Sequence, residues 1–140
     1  VVTADFDADG RPDILITERH WDLKTGLALP HVRLLANRLE PEGGWIGAHL
    51  RGAPRRSPIG AMVTARAGKR VWRHWVLTGD SLAAQHPFTA HFGFGKIEAV
   101  DSLEVRWPDG RVTRLAKTRA GKYHILSAAQ AKLEKASKGQ

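Results

Sequence analysis

From Trp45 onward the chain alternates short apolar runs with turn residues. Strand-length segments near 45–51, 60–67, 70–78, 88–92, 101–107, 111–115 and 122–127 are separated by Gly, Pro, Asp and Ser at the spacing of a sandwich or barrel. The clearest is Leu103-Glu104-Val105-Arg106-Trp107. Its alternation puts Leu103, Val105 and Trp107 on one face and the two charges on the other. Trp107-Pro108-Asp109-Gly110 then supplies a turn: Pro108 presets φ, Asp109 tolerates the second corner, and Gly110 accepts positive φ.

Before Trp45 the pattern is sparser. Ile14-Leu15-Ile16-Thr17 reads as a buried strand and residues 31–37 as another. Residues 18–31 mix charges with Gly26 and Pro30 and read as a loop or hairpin connection. Glu40-Pro41-Glu42-Gly43-Gly44 is the best linker, so the expected organisation is a first region at 1–37, a linker at 38–44, a β domain at 45–127 and a flexible basic tail at 128–140. From Ala128 the Ala- and Lys-rich sequence predicts a frayed helix or disordered tail.

Composition narrows the chemistry. With 140 residues and no cysteine, the chain has enough length for a core without staples, and thiolate zinc sites, thiol catalysis and disulfides are excluded. No apolar run approaches the roughly 20 residues of a membrane helix. The formal charge of +8 is uneven: residues 1–26 carry a net −3 and the remainder a net +11. The acidic cluster is local, on a basic body that attracts anionic partners.

That cluster is Asp5, Asp7, Asp9 and Asp13, with Gly10 between the third and fourth. Alternate carboxylates closed by a glycine can wrap a hard cation, because Ca²⁺ takes six to eight oxygens at about 2.3–2.6 Å. Counting from Asp5, position twelve is Ile16 where an EF-hand needs glutamate, so the loop is not an EF-hand. Asp13 at position nine closes the ring instead. The expected ligands are the carboxylates of Asp5, Asp7, Asp9 and Asp13 and the backbone carbonyl of Arg11. The alternative is a solvated acidic turn, which like-charge repulsion within the loop disfavours.

The stretch Val2-Thr3-Ala4-Asp5-Phe6-Asp7-Ala8-Asp9-Gly10-Arg11-Pro12-Asp13-Ile14-Leu15-Ile16 resembles the second half of an FG-GAP/VCBS repeat. Downstream, Trp45-Ile46-Gly47, Leu50-Arg51-Gly52, Ile59-Gly60-Ala61-Met62-Val63, Gly79, His91-Phe92-Gly93-Phe94-Gly95 and Val105-Arg106-Trp107-Pro108-Asp109-Gly110 resemble the ASPIC/UnbV domain. Two departures stand out: Arg55-Arg56-Ser57-Pro58 replaces the family's Ser-Asn-Arg lead, and Phe-Gly-Phe-Gly its Phe-Gly-Leu-Gly. The resemblance implies an all-β chain in which the terminal part of a β-propeller blade precedes a small β-sandwich-like domain. It also implies a secreted, extracellular or periplasmic adhesion module that binds Ca²⁺ and meets an extracellular protein or glycan. Opening at Val1 inside the metal loop, the chain is expected to be the C-terminal part of a longer protein.

A rival reading starts from Arg66 to Trp75, which interleaves bases and aromatics in the manner of a polyanion-binding surface for acidic glycan or nucleic acid, joined by Arg55-Arg56. As a strand it puts Arg70, Trp72 and His74 on one face and Val71, Arg73 and Trp75 on the other. The blander reading is an amphipathic strand with snorkelling arginines, and an exposed Trp72 would favour the ligand surface. Nucleic acid is the less expected partner. Enzymatic function is not expected: none of the seven histidines forms H-E-x-x-H, and Ser57 and Ser81 lack a nucleophile-elbow context. The glycines of Phe92-Gly93-Phe94-Gly95 read as a tight turn or bulge rather than a nucleotide loop.

Overall fold

The computed structural model describes residues 1–40, 43–79, 81–82 and 84–133. The chain is all-β: among the described residues there is no α-helix, and no helix long and apolar enough to cross a membrane. It divides into two compact units, Val1–Pro41 with Gly79–Pro87, and Glu42–Thr78 with Phe88–Gln140.

The first unit is built on a three-stranded antiparallel sheet, β1 (Val2–Ala4), β2 (Asp13–Asp22) and β3 (Leu27–Leu35), in that order. Most of residues 18–31, expected as a connection, is strand. The turn shrinks to 23–26, where Asp22 accepts the Lys24 N–H at 2.9 Å and the Thr25 hydroxyl at 2.8 Å, and Gly26 takes φ +68°. The charges that obscured the strands sit on exposed positions. Glu18 pairs with Arg33 across the ladder at 2.7 Å, and Pro30 lies on the edge strand, where its missing N–H is tolerated. Apolar side chains are nevertheless exposed on both faces: Leu29 and Leu35 on one, Trp21, Val32 and Leu34 on the other.

The second unit has two sheets. Strands β4 (Gly44–Arg51), β7 (Thr89–Gly95) and β10 (Lys122–Ser127) form the smaller, in the order β10-β4-β7. Strands β5 (Met62–Ala67), β6 (Arg70–Trp75), β8 (Ala99–Arg106), β9 (Arg111–Arg119) and β11 (Lys132–Leu133) form the larger, in the order β11-β9-β8-β5-β6. β10 runs parallel to β4, so the last long strand closes onto the first and joins residues more than seventy positions apart. Ile46, Ala48, Leu50, Phe92 and Leu126 from the smaller sheet meet Val63, Ala65, Leu103 and Val105 from the larger in one buried cluster. Each fully buried Leu or Val contributes about 1.5–3 kcal/mol relative to exposure.

Several local expectations hold. Leu103, Val105 and Trp107 are buried while Arg106 is exposed, and the Trp107 indole N–H donates to Thr113 Oγ1 at 2.9 Å. The β8–β9 turn closes with Gly110 N–H donating to the Trp107 carbonyl at 2.9 Å and Gly110 at φ +80°. Across from β7 the register steps from Gly44↔Gly95 to Trp45↔Gly93, so Phe94 is the extra residue of a bulge. The stretch after Ser127 differs from expectation. Residues Ala128–Gln130 form a 3₁₀ turn capped by Ser127, and β11 then pairs with β9, with Ala128 and Ala131 buried. Small alanine side chains expected in a frayed helix or tail serve here as close-packed core. Residues 134–140 of the expected tail lie outside the described residues.

Candidate metal centre

The loop between β1 and β2 is shaped by its own carboxylates. Asp5 accepts the backbone N–H groups of Asp9 (3.0 Å) and Gly10 (2.8 Å), drawing the chain into a tight reversal. Gly10 sits at φ +90°, where a β-carbon is disfavoured, and Ala8 also adopts a left-handed conformation at φ 59°. Asp13 is the anchor. It is 2% exposed, and its two oxygens accept the N–H groups of Phe6 at 2.9 Å and Asn37 at 2.8 Å, tying the loop to the end of β3. Asn37 completes the tie by donating its side-chain amide to the Pro12 carbonyl at 3.3 Å.

Of the residues nominated by spacing, three converge. One oxygen each from Asp5, Asp7 and Asp13 lies within 4.8 Å of the others, with Asp13 buried, Asp5 half-buried and Asp7 exposed. Asp9 is turned elsewhere. Its Oδ1 accepts the Arg11 N–H at 2.9 Å, its Oδ2 accepts the Arg11 Nε–H at 2.9 Å, and a second guanidinium nitrogen completes the ion pair. The Arg11 side chain, foremost, holds the Asp9 carboxyl below the usual carboxylate range. Arg11, nominated for its carbonyl, thus engages through its guanidinium, which also donates to the Leu39 carbonyl at 3.1 Å. Arg38 lies 3.7 Å from Asp7. Asn37, Arg38 and Leu39 were not singled out in the sequence, because only the β2–β3 pairing returns them to the loop.

An all-oxygen, triply anionic set is hard-donor chemistry. It suits Ca²⁺ over transition metals that prefer nitrogen or sulfur. Asp5 and Asp13 keep lone pairs beyond those used for backbone N–H groups, since a carboxylate has about four acceptor sites. The residues present therefore fit a calcium ion held by Asp5, Asp7 and Asp13.

The second region singled out was Arg66 to Trp75. It spans β5 and β6, and Trp72 is not the exposed ring: it packs edge-on against Phe94 at 4.7 Å, while Trp75 is exposed. Arg56 is committed internally, with its Nε 3.1 Å from Asp109 and a guanidinium nitrogen donating to the Ala128 carbonyl at 2.7 Å. On the outer face of the smaller sheet, Tyr123 covers Gly47, where a Cβ would lie 2.0 Å from the ring, and stacks on His49 at 4.4 Å. Trp45 stacks on His91 at 5.2 Å in the same group, so these rings largely cover one another.

In comparison with known proteins, residues 52–133 of the chain match the family described as ASPIC and UnbV. No curated protein matches it.

Proposed function

The chain belongs to the ASPIC and UnbV family, and we propose that it is a non-catalytic, extracellular interaction module whose first unit binds Ca²⁺ and whose partner is a protein or glycan. The observation that carries this reading is the convergence of Asp5, Asp7 and Asp13 in a loop of the D-x-D-x-D-G-x-x-D pattern. Three carboxylates within a few ångströms repel unless a cation offsets them. Bound calcium would supply that charge and stiffen the corner between β1 and β2. The neighbouring residues already hold the ligands in place through the Asp5 and Asp13 backbone bonds. Asp7, exposed and paired only at 3.7 Å with Arg38 among the described residues, is the ligand that holds no backbone N–H.

In this reading the first unit is the end of a β-propeller blade and the second a β-sandwich-like domain. Support for the blade comes from the apolar side chains exposed on both faces of the β1-β2-β3 sheet, since a propeller blade is covered on both faces by its neighbours. The resemblance to extracellular modules supports secretion, since sites of that kind, with dissociation constants of roughly 10⁻⁴ to 10⁻³ M, stay filled only where calcium is plentiful.

Calorimetric titration of the chain with Ca²⁺ tests the assignment. Saturable binding in that range is expected, abolished by Asp7→Ala with the melting curve of the calcium-free protein unchanged. Arg11→Ala, which releases Asp9 toward the cluster, is expected to tighten binding about two- to fivefold. Equal heats for the parent and Asp7→Ala would sink the site.

A further inference from the structure

We infer that the outer face of the larger sheet in the second unit is a docking surface for a sulfated polysaccharide. This inference is independent of calcium. Strand register assembles the surface. Arg73, Thr64, Glu104 and Arg114 form one rung across β6, β5, β8 and β9. The rung on one side holds Trp75, Met62, Arg106 and Val112 and continues to Lys132 on β11; the rung on the other side holds Val71, Arg66, Ser102 and Ala116. Opposed residues share a face, so Arg66, Arg73, Arg106, Arg114 and Lys132 all project outward, and all are exposed.

These rungs contain a single carboxylate. Glu104 is 8% exposed and already accepts the Arg114 Nε–H at 2.8 Å. Among the described residues Arg66 and Arg73 form no ion pair. Arg66 and Arg73 lie diagonally across β5 and β6, about 7–8 Å apart, a concentration of like charge that calls for an anionic partner. Surfaces under no such demand intersperse both signs. Four of the five cations are arginine, whose planar fork engages a tetrahedral or planar oxyanion through two parallel hydrogen bonds. A groove of about 590 Å³ along β9 and β11, lined in part by Arg114, Gln130 and Lys132, opens at one end of the same sheet.

The choice of polyanion rests on shape and aromatic content. A single-stranded nucleic acid needs successive rings on which bases stack. Here Trp75 is the one aromatic side chain in the three rungs, at the edge of the sheet, with Trp72 turned inward against Phe94. Duplex DNA is read by a helix or ribbon that enters a groove, and a broad sheet face enters none. An extended sulfated chain lays repeated anions along a broad surface and asks for one ring at most.

The test uses the full chain on immobilised heparin in EDTA, so that failure of the calcium reading leaves it intact. Retention is expected at about 0.1 M salt and loss by about 1 M, as the screening length falls from about 10 to 3 Å. Arg66→Glu with Arg73→Glu is expected to weaken binding about tenfold or more, and the neutral Arg66→Gln with Arg73→Gln several-fold, with melting curves unchanged. Arg51→Glu with Lys122→Glu, an equal charge change on the smaller sheet, is expected to stay within about twofold of the parent. Equal losses in the two charge-reversal pairs would mean that net charge alone binds, and the proposal fails. Equal or tighter binding to single-stranded DNA would overturn the glycan assignment.

Discussion

The two units are stabilised by different means. Every residue of the buried hydrophobic cluster belongs to the second unit, whose sheets close on Ile46, Val63, Leu103, Val105 and Leu126. The first unit's sheet buries little beyond Asp13 and leaves Trp21, Val32, Leu34 and Leu35 exposed. Its order comes from directional hydrogen bonds, those of the β1-β2-β3 ladder and those of carboxylates to backbone N–H groups. One unit has a non-directional driving force proportional to buried area, and the other has directional bonds each worth a net 0.5–3 kcal/mol or so. The difference teaches where each is vulnerable: the second to loss of volume, the first to loss of single polar contacts.

The sharpest way to break this comparison is a matched pair of leucine truncations. Leu103→Ala in the second unit is expected to cost about 2–5 kcal/mol by urea unfolding, from lost transfer energy and the cavity left behind. Leu34→Ala in the first unit, where the side chain is half exposed, is expected to stay within about 0.5 kcal/mol. Similar costs would erase the distinction.

Next in size is Asp13→Ala. It orphans the N–H groups of Phe6 and Asn37 together and is expected to cost about 2 kcal/mol, confined to the first unit. Hydrogen exchange reads it directly: protection should fall at Phe6, Asn37 and along β1 and β2 and persist at Val63 and Leu103. Loss of protection throughout both units would show that they unfold as one.

The smallest expected effect depends on pH. His124 points from β10 toward the core side of the smaller sheet, with a buried Nε2 that has no partner among the described residues. Desolvation, foremost, holds its imidazole below the ordinary value of 6.5. The folded state thus prefers the neutral ring. Its contribution is fully present above the ordinary value and is lost as pH falls through 6.5 toward the lower folded value. Thermal melts from pH 7.5 to 5 should show a decline that flattens in His124→Gln. An identical slope in the variant would assign the decline to other groups.

Much of this protein was determined by local sequence. The Leu103–Trp107 alternation, the Pro108-Asp109-Gly110 turn and the Asp-rich loop with Gly10 each follow from side-chain period or backbone freedom within a few residues, and the structure realises them. The strands within residues 18–31 are hidden from periodicity because an exposed sheet accepts charge on both faces, which removes the alternation that marks a strand. Tertiary pairing decided the rest. It brought Asn37 to Asp13, made 128–133 part of the fold, and gathered Arg66, Arg73, Arg106 and Arg114 from four strands onto one face. Periodicity says which way a side chain points along its own strand. Which side chains become neighbours depends on strand order and register, and these are selected by burying one shared core across residues distant in sequence.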